Sequence, residues 1–131
     1  MQTSISKSNL WAGRIISGLP ALFLLWDGAM KLAKVSFVVE ATRSLGYPES
    51  TIIPLGVVLI VCTILYLIPA TSVLGAILLT GYLGGAVATH VRIGESLFSV
   101  IFAIVFGVLL WLGLYLREPQ LRALVPLRAN V

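Results

Sequence analysis

Apolar residues dominate four stretches of the chain, 11–30, 52–68, 72–91 and 97–116, separated by short polar breaks. An apolar run of about 20 residues is long enough to cross the hydrocarbon core of a bilayer as one helix. The pattern therefore predicts four membrane-spanning helices. The first run is interrupted by Arg14, Pro20 and Asp27. A proline inside a helix removes a backbone hydrogen bond and usually kinks it, which a membrane bundle tolerates when neighbouring helices re-satisfy the backbone. The second run is near the short limit of roughly 17–25 residues and rich in β-branched side chains. Its length still argues against a strand, and no barrel-like alternation occurs elsewhere in the chain.

The longest non-spanning segment, 31–53, opens with an amphipathic stretch. Val35, Val38, Val39 and Leu45 fall at roughly helical spacing, opposite Ser36, Glu40, Arg43 and Ser44. This predicts a short helix lying at the membrane interface, stopped by Gly46 and Tyr47-Pro48. A packed connector is the plain reading of it, and a lid is the functional one. Pro69-Ala70-Thr71 leaves room only for a tight turn, so the second and third spans are antiparallel neighbours.

Small residues mark the third span. Ser72, Ala76, Thr80, Gly84 and Ala88 recur every fourth position, and Gly81, Gly85 and Thr89 form a second row beside them. In lipid such rows let helix backbones approach closely, so they predict a packing spine. Gly13, Ser17 and Ala21 form a similar row in the first span. In the fourth span Phe98, Phe102 and Phe106 lie one turn apart, a spacing read as core or lipid face. After it, Arg117, Arg122 and Arg128 alternate with apolar residues, and Pro119 and Pro126 limit any helix to about two turns. The expected architecture is all-α: one domain over residues 1–131, a four-transmembrane-helix bundle with a short interfacial helix between spans one and two.

Composition agrees. Of the 131 residues, 59% are hydrophobic and 11% charged, with a mean hydropathy of +1.05. A soluble domain carries about 25% charged residues, so a soluble fold is excluded. The net charge of +4 is spread over tails and loops, with no basic stripe among aromatics. That pattern suits anionic lipid headgroups and not nucleic acid. The apolar run that starts near Leu10 exceeds a signal-peptide core of roughly 7–15 residues, so the first span is expected to be retained. Cys62 is the single cysteine and lies in an apolar run, where it is expected to pack; neither an internal disulfide nor a Cys-x-x-Cys pair is available. Four spans place both ends on one side with five cations (Lys7, Arg14, Arg117, Arg122, Arg128), against four on the other (Lys31, Lys34, Arg43, Arg92). The positive-inside rule then puts both ends in the cytoplasm.

Ionisable groups inside spans are candidates for function because each costs roughly 2.5–3.5 kcal/mol at a helix centre. Arg14 and Asp27 are about 20 Å apart along a helix axis and do not pair. Asp27 and Lys31 stand at i,i+4 with the acid first, the favourable order for an ion pair. The first and third spans end on the same side, so Asp27, Lys31, His90 and Arg92 could gather at one mouth of the bundle. Such a mouth could bind a polar headgroup or pass protons to a quinone, with the histidine titrating near neutral pH. The competing reading is a helix-ending ion pair and a hydrogen-bonded interfacial histidine. Metal-ligand spacing, phosphate loops and nucleophile elbows are lacking.

Several motifs appear together in order: Trp11-Ala-Gly-Arg14, Asp27-Gly-Ala-Met-Lys31, Leu45-Gly-Tyr-Pro48, Leu65-Tyr-Leu-Ile-Pro69 and the stretch 81–94. With Trp111–Arg117 and the Arg122…Pro126 tail, they make the chain resemble the DoxX-like family of small four-helix membrane proteins. The resemblance implies a bundle in a bacterial inner membrane. Some relatives are subunits of thiosulfate–quinone oxidoreductase or of other membrane oxidoreductase assemblies, and many have no assigned function. It supplies no catalytic set to carry over. The leading expectation is a membrane protein without autonomous catalysis or an evident cofactor, acting as an assembly component beside a membrane or redox protein. The alternatives are a quinone-interacting subunit, with the fourth-span aromatics beside the ring, and a small-molecule or lipid carrier, which would need an oligomer.

Overall fold

The computed structural model describes residues 6–94 and 97–128. Among them are six α-helices: α1 (Lys7–Leu32), α2 (Ser36–Ser44), α3 (Ile52–Leu67), α4 (Ser72–Ile93), α5 (Leu97–Arg117) and α6 (Pro119–Arg122). The four long helices match the four apolar runs; α1, α4 and α5 extend a few residues beyond them, and α3 ends one residue earlier, at Leu67. α4 continues to Ile93, two residues past the third apolar run, and the expected turn that follows runs to Ser96. Its Glu95 and Ser96 lie outside the described residues. Pro20 is buried within an unbroken α1.

Local chemistry sets the ends. Ser6 caps α1, its hydroxyl accepting from the Asn9 amide at 3.1 Å. At the Pro69 turn, Thr71 and Ser72 donate to the carbonyls of Leu65 (2.7 Å) and Ile68 (2.9 Å). Gly94, with φ of 72°, closes α4 in the left-handed conformation that glycine adopts without strain. The Arg122 guanidinium donates to the Tyr115 and Leu116 carbonyls, both at 2.8 Å, and so caps α5.

The helices form a ring in which α1 packs on α3 and α5, and α4 packs on α3 and α5. Glycine sets three of these four seams. A Cβ on Gly13 would lie 2.7 Å from the Gly113 carbonyl oxygen, where α1 meets α5. One on Gly28 would lie 2.6 Å from Ile60 Cγ1, and one on Gly56 3.0 Å from the Gly28 carbonyl oxygen, where α1 meets α3. A Cβ on Gly75 would overlap the backbone of Tyr66, where α4 meets α3. The row Gly13, Ser17, Ala21 is buried in this packing.

The third-span rows behave differently. Ser72 and Ala76 are buried, but Thr80, Gly81, Gly84, Gly85 and Ala88 are exposed. A Cβ on Gly81, Gly84 or Gly85 would meet no atom within 4 Å. Within the chain the rows are therefore not a continuous spine, and the contact they promise is made instead by Gly75, off both rows. Missing side chains can admit a neighbouring helix or leave a space, and here they leave two spaces. Thr80 and Gly84 line an outer groove of about 520 Å³ between α4 and α5, bridged by a 2.6 Å hydrogen bond from the Trp111 indole to the Thr80 hydroxyl. Gly81, Gly85 and Thr89 line a larger cavity inside the ring.

The two ends of the ring differ. At the end holding the chain termini, Tyr66 is fully buried and donates its hydroxyl to the Leu110 carbonyl across the α3–α5 diagonal. Arg117 stacks over its ring at 5.2 Å. That end is filled. At the other end a cavity lies between α1 and α4.

Candidate functional site

At this second end the ring encloses a cavity of about 670 Å³. The second halves of α1 and α4 and the start of α5 form its walls, and α2 lies across it, contributing Phe37, Val38, Ala41 and Thr42. The amphipathic stretch thus forms the predicted helix, one residue shorter at each end. Its buried residues are Val38 and Thr42. Thr42 is hidden on the inner face because its hydroxyl donates to the Val38 carbonyl at 2.8 Å, which removes the cost of burying it.

One wall is aromatic. Phe23 of α1 contacts Trp26, Phe102 and Phe106 at centroid distances of 6.0, 5.7 and 5.0 Å. Phe106 stacks on Phe102 at 4.7 Å, and Phe98 continues the row at 5.8 Å. All five line the cavity. Yet Trp26 and Phe98 are 59% and 72% exposed, so the wall also reaches the outer surface between α1 and α5. The expected choice for the phenylalanine row between core and lipid face is met by both at once, because the cavity opens along that seam.

Polar groups converge opposite. Lys31 donates to Asp27 at 2.8 Å, with 14% and 28% of their side chains exposed. His90, Thr89, Tyr82 and Tyr47 line the same space. The Tyr47 and Thr89 hydroxyls are hydrogen-bonded at 2.9 Å, which ties the linker after α2 to α4. The structure thus brings Asp27, Lys31 and His90 to one cavity.

Arg92 does not join them. Its guanidinium turns out of the cavity and donates to the Leu45 carbonyl at 2.7 Å, under Gly46, whose φ is 92°. A side chain on Gly46 would be strained and would also meet Arg92 Nη2 at 3.1 Å. Arg92 is therefore a strut for the end of α2. Arg92→Ala is expected to cost about 1 kcal/mol and to speed amide hydrogen exchange in residues 36–47 while leaving α5 protected.

Tyr82, Tyr47 and Phe23 are the cavity residues that sequence reasoning passes over. Tyr82 did carry a signal, being a polar aromatic near the middle of an apolar span between two glycines. Tyr47 and Phe23 carried none, since only the fold brings them together. Among the described residues no group of three or more His, Cys, Asp or Glu gathers. Cys62 is buried against the core.

A concave, mostly apolar space with a few convergent polar groups is the ordinary form of a small-molecule site. Four helices long and apolar enough to cross a bilayer, ringed around such a space, define a multi-pass α-helical membrane protein. The sequence profile of the DoxX-like family matches residues 15–113, and the chain belongs to that family. Comparison with curated proteins and with solved structures finds no match.

Proposed function

We propose that this protein is a membrane-embedded binding subunit that takes an amphipathic ring compound of the quinone class from the bilayer and holds it for a partner. The cavity carries this reading: an aromatic wall open toward lipid faces a polar group set of Asp27, Lys31, Tyr82 and His90. A flat ring stacks on the first, and its carbonyl oxygens accept hydrogen bonds from donors of the second, Lys31 and Tyr82 among them. The ligand comes from the lipid phase because Trp26 and Phe98 lie at the exposed edge of that wall. With one cysteine in the chain, no thiol pair is available for redox work within it, so electrons would come from a partner protein. The cation balance of five to four and the family resemblance favour a bacterial inner membrane with both ends cytoplasmic. The polar end of the cavity would then open on the outer side.

The test uses Trp26, which lies in the wall. Titrating the detergent-purified protein with a short-tailed benzoquinone should quench tryptophan fluorescence saturably in the micromolar range. Trp26→Phe should abolish most of the quenching, and Trp111→Phe, in the outer groove, should not. Linear, unsaturable quenching that is indifferent to Trp26 would dispose of the proposal.

A further inference from the structure

We infer that Tyr82 selects the ligand, donating its hydroxyl hydrogen to a carbonyl oxygen on the bound ring. The inference rests on the cavity reading above and names what that cavity reads. Tyr82 stands near the middle of α4, at bilayer depth, with Gly81 and Gly85 beside it on the cavity side. It lines the same cavity as Asp27 of α1 and Tyr47 after α2.

The other cavity hydroxyls are mostly committed. Thr42 donates to Val38, and Thr89 is engaged with both Gly85 and Tyr47. Lys31 occupies Asp27 Oδ2. Tyr82 and Ser99 make no hydrogen bond to a described residue. Ser99 belongs to the first turn of α5, at headgroup level, where solvent can serve it. Tyr82 is the one at depth, and its hydroxyl is not sealed among core atoms, so a ligand in the cavity can reach it.

The cavity's geometry says what would satisfy it. A phenol O–H suits a carbonyl acceptor, and the aromatic wall across the cavity suits a flat ring carrying that carbonyl. Lys31 is paired with Asp27, so the pair brings no net charge to the cavity and favours a neutral head over an ammonium. The selected class is therefore neutral rings with a carbonyl oxygen at the head and an apolar tail.

The experiment compares wild type with Tyr82→Phe in nanodiscs of ether-linked lipid, which carries no ester carbonyl to compete. The probes are decyl-benzoquinone and decylbenzene, which has the same tail without the ring oxygens. Wild type should prefer the quinone by about tenfold, the worth of one neutral hydrogen bond in a dry site. The variant should lose most of that preference. Its ligand-free melting temperature should be unchanged or higher, because the hydroxyl serves no contact in the fold. A variant that keeps the preference, or that melts lower without ligand, would overturn the assignment. Wild type binding neither probe would overturn the cavity reading, and the role of Tyr82 with it.

Discussion

Gly75→Ala is expected to cost about 3 kcal/mol or more, the upper end for overpacking, and to be the most damaging single methyl group in the chain. The added Cβ would overlap the Tyr66 backbone. A flexible side chain could rotate away; the main chain in the last turn of α3 cannot. α4 would have to move off α3, and Tyr66 would be disturbed with it. That residue holds the closed end together through its hydroxyl on Leu110 and its ring under Arg117. The damage would therefore spread across the α3–α5 diagonal. Gly84→Ala is the matched control, since its Cβ meets nothing within 4 Å. It should be neutral or slightly stabilising, because alanine is favoured over glycine in a helix by ~1 kcal/mol. Melting temperature in detergent and yield of monodisperse protein read both effects. A Gly75→Ala protein that melts with the wild type would show the seam to be loose.

That contrast also marks how far the sequence could be read. Span number, order and approximate limits followed from hydropathy, because a bilayer imposes length and apolarity on any helix that crosses it. The Pro69 turn fixed α3 beside α4, and the row at Gly13, Ser17 and Ala21 identified a true packing face. The row from Ser72 did so only at Ser72 and Ala76, and the glycines of the row from Gly81 meet no other helix within the chain. A small residue has the same signature whether a helix or a void lies opposite, and only the placement of the other helices decides between them. Gly75 escaped notice for the same reason, since one glycine off a four-residue step has no pattern to announce it. At the site, topology was enough to bring Asp27, Lys31 and His90 to one end. It could not show that Arg92 turns outward to Leu45, because the path of residues 45–48 over α4 is set by tertiary contacts with Thr89 and Arg92. The aromatic wall was half legible: Phe98, Phe102 and Phe106 are visible as a row, but their contact with Phe23 is not.

Filling the cavity should separate binding from folding most sharply. Gly85 lies on the cavity wall, and a Cβ there would have nothing within 4 Å. In Gly85→Leu the new side chain would occupy space that a bound ring requires, opposite the aromatic wall. Quinone affinity is expected to fall at least ~10-fold, equivalent to about 1.4 kcal/mol. The melting temperature should not fall, because the leucine adds apolar contacts where the native chain has none. Gly84→Leu is the decisive comparison. It adds the same side chain one residue away, but Gly84 faces the outer groove between α4 and α5. That variant should keep its quinone affinity. The pair therefore holds side-chain size and helix propensity constant and changes only which space is filled. Loss of binding in Gly85→Leu alone places the ligand inside the ring, next to Tyr82. Equal loss in both would mean that the substitutions act through α4 itself, and loss in Gly84→Leu alone would move the ligand to the outer groove.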